Sequence, residues 1–440
     1  MILRSITLTN YRNFEEYSLE LGKRTTMLIG RNGMGKTNLI SSMVQAMSFI
    51  FSKQRGMPQT EFIRSSDQGV KSFSATDARY TNDYQYPVYV RATASLEDEE
   101  DPRLKWGLEQ EGRKSGLRDS QFRDAYLQFW NYYNQKDEKP VLAFFSDGFP
   151  HKNTRLSKAM KDRLKSGFAL PSNTGYYQWD QDQSCVEIWK RYYAQQWLNN
   201  RLNPDGEKQA YVEAVKNVLY EFSLPMNGEL ETGEMIVEDL LAEIRDEKSV
   251  LMIKLAGKEN AVPYDSLPQG YNRMFSMVLD LASRSFLLNG NCNPEGIVFI
   301  DEIELHLHPS VAISILQRLR RSFTRLQFIV STHSPLVITN FNQSGGADDF
   351  RLYQLTNDDG VYDMKRIQDV FGLNYNDGLT TVMETEDRNR NMEEDIPQTD
   401  PGWCAAALWR LRNGQPCLRR PGSVHACTDR PSAFRGSSLG

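Results

Sequence analysis

The eight residues Gly30-Arg31-Asn32-Gly33-Met34-Gly35-Lys36-Thr37 constrain this chain more than any other stretch of it. Before them, residues 25–29 are a mostly β-branched and apolar run that reads as a strand. After them, Leu39, Ile40, Met43, Val44, Met47, Ile50 and Phe51 recur at helical spacing. A strand, a glycine turn and a helix in that order set up a βα unit. Glycines let backbone N–H groups curl around an anion without a Cβ in the way, and the helix N-terminus adds the positive end of its dipole. The pattern G-x-x-x-x-G-K-T is that of a phosphate cradle. Gly30, Asn32, Gly33 and Gly35 line it, Lys36 reaches β- and γ-phosphates, and the Thr37 hydroxyl is placed to ligate Mg²⁺.

Two further segments carry chemistry. Ile297-Val298-Phe299-Ile300 suits a strand buried on both faces of a parallel sheet, and Asp301-Glu302 stand at its C-terminal end, where ligands sit in open α/β sheets. Asp301 is expected to hold the Mg²⁺ water shell, and Glu302 to orient or deprotonate an attacking water. Ser331-Thr332-His333-Ser334-Pro335 follows another apolar strand, which places His333 as a γ-phosphate sensor. In Glu304-Leu305-His306-Leu307-His308-Pro309 the acids and imidazoles alternate, a pattern that shares one face only in an extended segment. Pro309 suits the first turn of a following helix, so a structural or dimer-contact role is favoured there over a metal site.

Composition bounds the rest. A chain of 440 residues has room for two or three domains, and 40% hydrophobic with 25% charged residues excludes a wholly disordered chain. A net charge of -5 requires any nucleic-acid contact to come from a local patch. Five cysteines form no disulfide framework, no run of 18 apolar residues occurs, and the N-terminus has no apolar signal region; the expected location is cytoplasmic, with no membrane partner.

Strand alternation marks 1–96 as an N-terminal lobe with the phosphate loop. Residues 97–262 are aromatic and charged with little strand pattern; 198–222 and 236–244 read as helices, so the stretch is expected to be a mostly helical insertion. An α/β pattern resumes over 263–385, with a helix at 271–289 and another at 309–322. Beyond 386 lysine is absent while eight arginines follow position 387, and the expectation is a disordered or non-native tail. A zinc site at Cys404, Cys417, Cys427 and His425 is set aside because the spacing matches no usual ligand pattern.

Taken together, Asn10-Tyr11-Arg12-Asn13-Phe14, the phosphate loop, Leu267-Pro268-Gln269-Gly270-Tyr271-Asn272-Arg273-Met274, Ile297 to Pro309 and Ser331 to Pro335 resemble the ATP-binding-cassette heads of the RecF, OLD and SMC group. The resemblance covers roughly 1–95 and 260–380. It implies an α/β fold, a cassette-type P-loop head with a mixed or parallel sheet, whose cofactors are ATP and Mg²⁺. It further implies a homodimer or higher homo-oligomer with ATP between protomers. By the same resemblance Gly270 lies in the signature segment, with Pro268 where a serine is usual, and Arg12 lies near the nucleotide. No Q-loop glutamine stands out; Gln85 and Gln121 are the candidates. Within the group, the compact insertion and a segment from Phe371 to Arg388 are similar to anti-phage defence ATPases, including those of Septu and retron systems. That implies ATP-driven gating of an effector nuclease or toxin encoded nearby. The rival readings are a RecF-like repair ATPase and an ATP-binding scaffold that stores a partner. DNA is a further partner to weigh. Lys152, Arg155, Lys158 and Lys161, with Arg163 and Lys165, form one basic patch, and Arg318, Arg320, Arg321 and Arg325 another; both read first as solvated helix faces and second as phosphate contacts.

Overall fold

The computed structural model describes residues 1–52, 69–96, 104–150, 160, 162, 164, 169–180, 185–202, 206–226, 236–245, 248–341, 346–358 and 361–367, all within a compact unit spanning Met1–Thr385. The chain opens with β1 (Ile2–Tyr11), β2 (Phe14–Glu20), β3 (Thr25–Ile29) and α1 (Lys36–Met47). Next come β4 (Val88–Ser95), β5 (Leu104–Gln110), α2 (Arg123–Lys136) and β6 (Val141–Phe145). A middle stretch holds α3 (Val186–Leu202), α4 (Gly206–Ser223), β7 (Val237–Arg245), β8 (Lys248–Leu255) and β9 (Val262–Pro263). The last part is α5 (Gln269–Asn289), β10 (Gly296–Ile300), α6 (Pro309–Ala312), α7 (Ile315–Ser322), β11 (Leu326–Thr332), α8 (Pro335–Thr339), α9 (Gly346–Asp349), β12 (Phe350–Asp358) and β13 (Val361–Ile367).

Three sheets result. The central one has the order β13-β12-β3-β11-β10-β6 and is parallel except for its β13 edge. Every residue of β3, β10 and β11 is buried, which is why their sequences are mostly apolar and show no alternation. A second, antiparallel sheet has the order β2-β1-β4-β5 and continues across position 97. The indole N–H groups of Trp106 and Trp130 donate to Ala46 O and Ile50 O at 2.9 Å, satisfying carbonyls where α1 runs out into a 3₁₀ turn. Those two tryptophans therefore fix the far end of the helix that begins at the phosphate loop.

The middle stretch differs in detail from its expected form. Residues 236–244 are not helical: they are strand β7, paired antiparallel with β8 in the third sheet. Ile236, Leu240, Leu241 and Ile244 fit a helical period, but the hairpin partner Leu251, Met252 and Ile253 supplies a ladder that wins. β6 joins the central sheet beside β10, so this stretch adds strands to both α/β sheets as well as helices. The helix expected over 309–322 is interrupted at 313–314. The basic patch at 152–165, the segment from Phe371 to Arg388, the cysteines at 404, 417 and 427 and the whole 386–440 tail lie outside the described residues. Among those described, no helix is long and apolar enough to cross a membrane.

α5 organises the middle stretch. α3 and α4 pack along it, and its buried Asp280 accepts from Trp189 Nε1 of α3 at 2.6 Å and from Arg284 Nε at 2.6 Å. Arg284 in turn donates to the carbonyls of Gly175 and Tyr177 at 2.9 and 3.0 Å. Both side chains are sealed from solvent, so removing one leaves the other charge uncompensated. The Arg284→Met protein is expected to lose about 3–5 kcal/mol of stability, as measured by denaturant unfolding; a loss below about 1 kcal/mol would show that the pair does not hold α3 to α5.

Candidate functional site

β3, β11 and β10 run parallel, with Ile29 opposite Thr332 and Ile300 opposite Val330. All three consequently release their chains at one edge of the sheet. From β3 the chain enters the glycine loop. Gly35 has φ +88°, and a Cβ there would lie 2.8 Å from Phe14 Cζ; at Gly30, φ +144°, a Cβ would lie 2.6 Å from Leu355 O. Neither position accepts a side chain, so the loop keeps its amides bare ahead of α1. Asn32 and Gly33 are exposed at its tip. Lys36 is buried; its Nζ donates to Gly30 O at 2.8 Å and Arg31 O at 3.0 Å and stands 3.5 Å from His333 Nδ1. Burial pushes its amine down to about 8, against the pull of Asp301, Glu302 and Glu304.

The acids meet this loop from β10. Asp301 is buried, and its Oδ2 accepts from Thr37 Oγ1 at 2.7 Å while Oδ1 accepts from Ser331 Oγ. Ser331 also accepts from the Glu302 amide at 2.9 Å. Glu302 has φ +50°, a left-handed backbone that turns it sharply out of the strand, and its Oε1 lies 3.8 Å from His333 Nε2. Burial, then the charges of Asp301 and Asp147, push the Glu302 carboxyl above the usual carboxylate range. Burial and Lys36 push His333 down, so its ring is neutral at pH 7. Glu304 holds the far side: Oε1 accepts from the His333 amide at 2.6 Å and Oε2 from Thr332 Oγ1 at 2.7 Å.

Lys36, Thr37, Asp301, Glu302 and His333 thus converge. Hydroxyl and carboxylate oxygens of Thr37 and Asp301 are the hard donors that Mg²⁺ prefers, two of them beside a phosphate cradle suit an ion that takes its other ligands from water and phosphate, and the residues fit that ion. Among the described residues there is no group of three acids, histidines or cysteines that could hold a metal alone. His308 Nδ1 engages Ser310 at the start of α6 and Glu304 is spent on β11, so their stretch serves structure.

Arg12 is gripped by Asp77 (Nε to Oδ1, 2.9 Å) and reaches Asn38 Oδ1 at 2.8 Å, on the wall of a pocket of about 700 Å³ that also includes Asn13, Arg79, Tyr80 and Tyr84. Gly270 sits in the first turn of α5, where a Cβ would lie 2.6 Å from His306 O; within its own chain this close approach already requires glycine. Pro268 is the N-cap of α5 and supplies no side-chain cap. Gln85 bonds Thr81 and Asp83 in its own loop, and Gln121 brackets the Glu109 backbone, so both are used locally. The arginine cluster is also committed internally. Arg318 and Arg321 donate to carbonyls at the end of α4, among them Phe222 O and Pro225 O at 3.1 Å, while Arg325 pairs with Glu138 and Glu295 and Arg320 lies over the Phe341 ring. Arg318 is buried by these bonds, whereas Arg325 keeps an exposed side chain. Sequence reasoning gave Glu304 no place beside His333 and Arg273 no role of its own; Arg273 appeared only within the segment Leu267 to Met274.

Comparison with known proteins gives a matching picture. A family model described as an AAA ATPase domain matches residues 1–338. The Retron Vc95 probable ATPase of Vibrio cholerae serotype O1 biovar El Tor is 24% identical over 379 residues, 77% of this chain and 71% of that protein. The Retron Ec83 probable ATPase of Escherichia coli is 24% identical over 381 residues, 76% of this chain and 68% of that protein. Septu protein PtuA of Bacillus mycoides (strain KBAB4) is 40% identical over 72 residues, 16% of this chain and 10% of PtuA.

A lysine that titrates at about 8 gives a nucleotide-binding site a pH signature. Phosphate favours the charged amine, so the bound state holds more protons than the free state and affinity falls as pH rises. Triphosphate affinity measured by calorimetry is expected to drop roughly eightfold between pH 7.5 and 9, and to lose that dependence in Lys36→Met. An unchanged affinity over this range in the parent would contradict the role given to Lys36.

Proposed function

The chain belongs to the AAA ATPase domain family, and from that premise we propose that it hydrolyses ATP to ADP and phosphate at the edge where β3, β10 and β11 end. The observation that carries the reading is the 2.7 Å bond between Thr37 and Asp301, which joins the phosphate loop to the acid-bearing strand. The loop amides and the α1 N-terminus bind the phosphates, and Lys36 exchanges the Gly30 and Arg31 carbonyls for β- and γ-phosphate oxygens. Thr37 and Asp301 would hold Mg²⁺, which would supply positive charge to the phosphates. Glu302 orients a water and takes its proton as the water oxygen bonds to the γ-phosphorus and the bond to the bridging oxygen breaks. Its raised carboxyl makes it a better base than an ordinary surface glutamate. Neutral His333 is within reach of the same centre and hydrogen-bonds the γ-phosphate without adding a charge.

In this reading the protomers dimerise around ATP and the nucleotide state gates a defence effector, a nuclease or toxin encoded nearby. Support comes from the retron and Septu relatives and from the exposed tip of α5 at Pro268 and Gln269, a surface that another protomer's nucleotide can approach. Direct DNA binding draws no support from the described arginine cluster, whose members are bound within the fold.

Phosphate release by the purified full-length chain tests the chemistry. Glu302→Gln is expected to lower kcat by on the order of 100-fold or more while ATP binds within about threefold of the parent, and light scattering should then show the ATP-bound variant as a stable dimer. Parental turnover in Glu302→Gln removes this glutamate from the mechanism.

A further inference from the structure

Beneath the candidate carboxylates lies Arg273, a guanidinium with no exposed surface, in the first turn of α5. Among the described residues no carboxylate pairs with it. It is instead surrounded by backbone carbonyls from two separate segments. Nη1 donates to Ser146 O at 3.3 Å, Asp147 O at 3.1 Å and Phe149 O, all just beyond β6. Nη2 donates to Asp301 O at 3.1 Å and Glu302 O at 3.2 Å, just beyond β10. Nη1 and Nη2 present four N–H groups to these five carbonyls while the buried Nε makes no hydrogen bond among the described residues, and a planar fork fits such a set of acceptors where an ammonium on a flexible stem does not.

The place of those carbonyls is informative. Glu302 departs from its strand with φ +50°, a conformation that a glutamate does not adopt unaided. Its peptide is held on one side by Ser331, which accepts from the Glu302 amide, and on the other by Arg273, which takes the Asp301 and Glu302 carbonyls. Gly270, three residues earlier on α5, abuts the carbonyl of His306. The first turn of α5 therefore clamps the segment 301–306 at both ends.

We infer that Arg273 is a positioning residue for hydrolysis, holding the left-handed turn that aims the Glu302 carboxylate at the attacking water. The inference rests on the hydrolytic role proposed for Glu302 and adds the group that sets its direction. Arg273 touches neither phosphate nor water; it acts through the backbone of Glu302. Misaiming a general base by about 1 Å costs on the order of 100-fold in rate.

A double-mutant cycle on the full-length chain separates positioning from mere support of the fold, with steady-state phosphate release, ATP affinity and thermal unfolding measured for each protein. Arg273→Met is expected to lower kcat by on the order of 100-fold while ATP affinity stays within about threefold, and Arg273→Lys to recover about tenfold of that loss. In a Glu302→Gln background the same Arg273 substitutions are expected to change the residual rate by less than about twofold, because the group they aim is gone. If Arg273→Met does not fold, Arg273→Lys carries the same cycle. Equal rate losses in both backgrounds, or affinity and kcat falling together, overturn the positioning role. Parental turnover in Glu302→Gln alone overturns the hydrolysis reading instead, so the two failures are told apart.

Discussion

Parallel register between β3, β11 and β10 is the constraint on which the rest of the molecule depends. With Ile29 beside Thr332 and Ile300 beside Val330, the sheet delivers a glycine loop, a histidine turn and an acidic turn to one edge. Backbone hydrogen bonds, not side-chain chemistry, set that convergence. The side chains then tie it off: Thr37 to Asp301, Ser331 to Asp301, and Glu304 to the Thr332–His333 turn. Each of these bonds joins two strand ends, so slippage of any one strand by a residue would break several of them.

Charge is the second theme. Asp301, Glu302 and Glu304 crowd an edge that also holds Lys36 and Arg273. Burial and then the charge of Asp301 raise the Glu302 carboxyl, while burial pushes the Lys36 and Arg273 cations the other way. Such a site is costly to assemble and its cost is offset by hydrogen bonds to backbone carbonyls and hydroxyls. In return it holds a lysine and a histidine of lowered basicity beside a glutamate of raised basicity.

How much of this was legible in the sequence depends on how local each signal is. The loop from Gly30 to Thr37 and the run ending at Asp301-Glu302 are contiguous, and their meaning lies in residue order alone. The strand β7 was misread as a helix because five or six apolar residues satisfy either period, and the decision rests with β8, which no local pattern names. Arg318 and Arg321 read as a surface charge run, yet their acceptors are the end of α4, far away in the chain. Arg12 was expected near the nucleotide; it bonds Asn38, the residue after Thr37 on α1, while its other partner Asp77 comes from a turn that carries no motif. Arg273 stood in the sequence only as part of the segment Leu267 to Met274, because backbone carbonyls leave no trace in sequence.

The most direct test of the central claim is an experimental structure of the full-length chain with Mg²⁺ and a non-hydrolysable ATP analogue. The account predicts triphosphate density enclosed by residues 30–37, with the Lys36 amine moved from the Gly30 and Arg31 carbonyls onto the phosphates and the cation seated between Thr37 and Asp301. Nucleotide bound elsewhere, with Lys36 still folded back on its own loop, would contradict it.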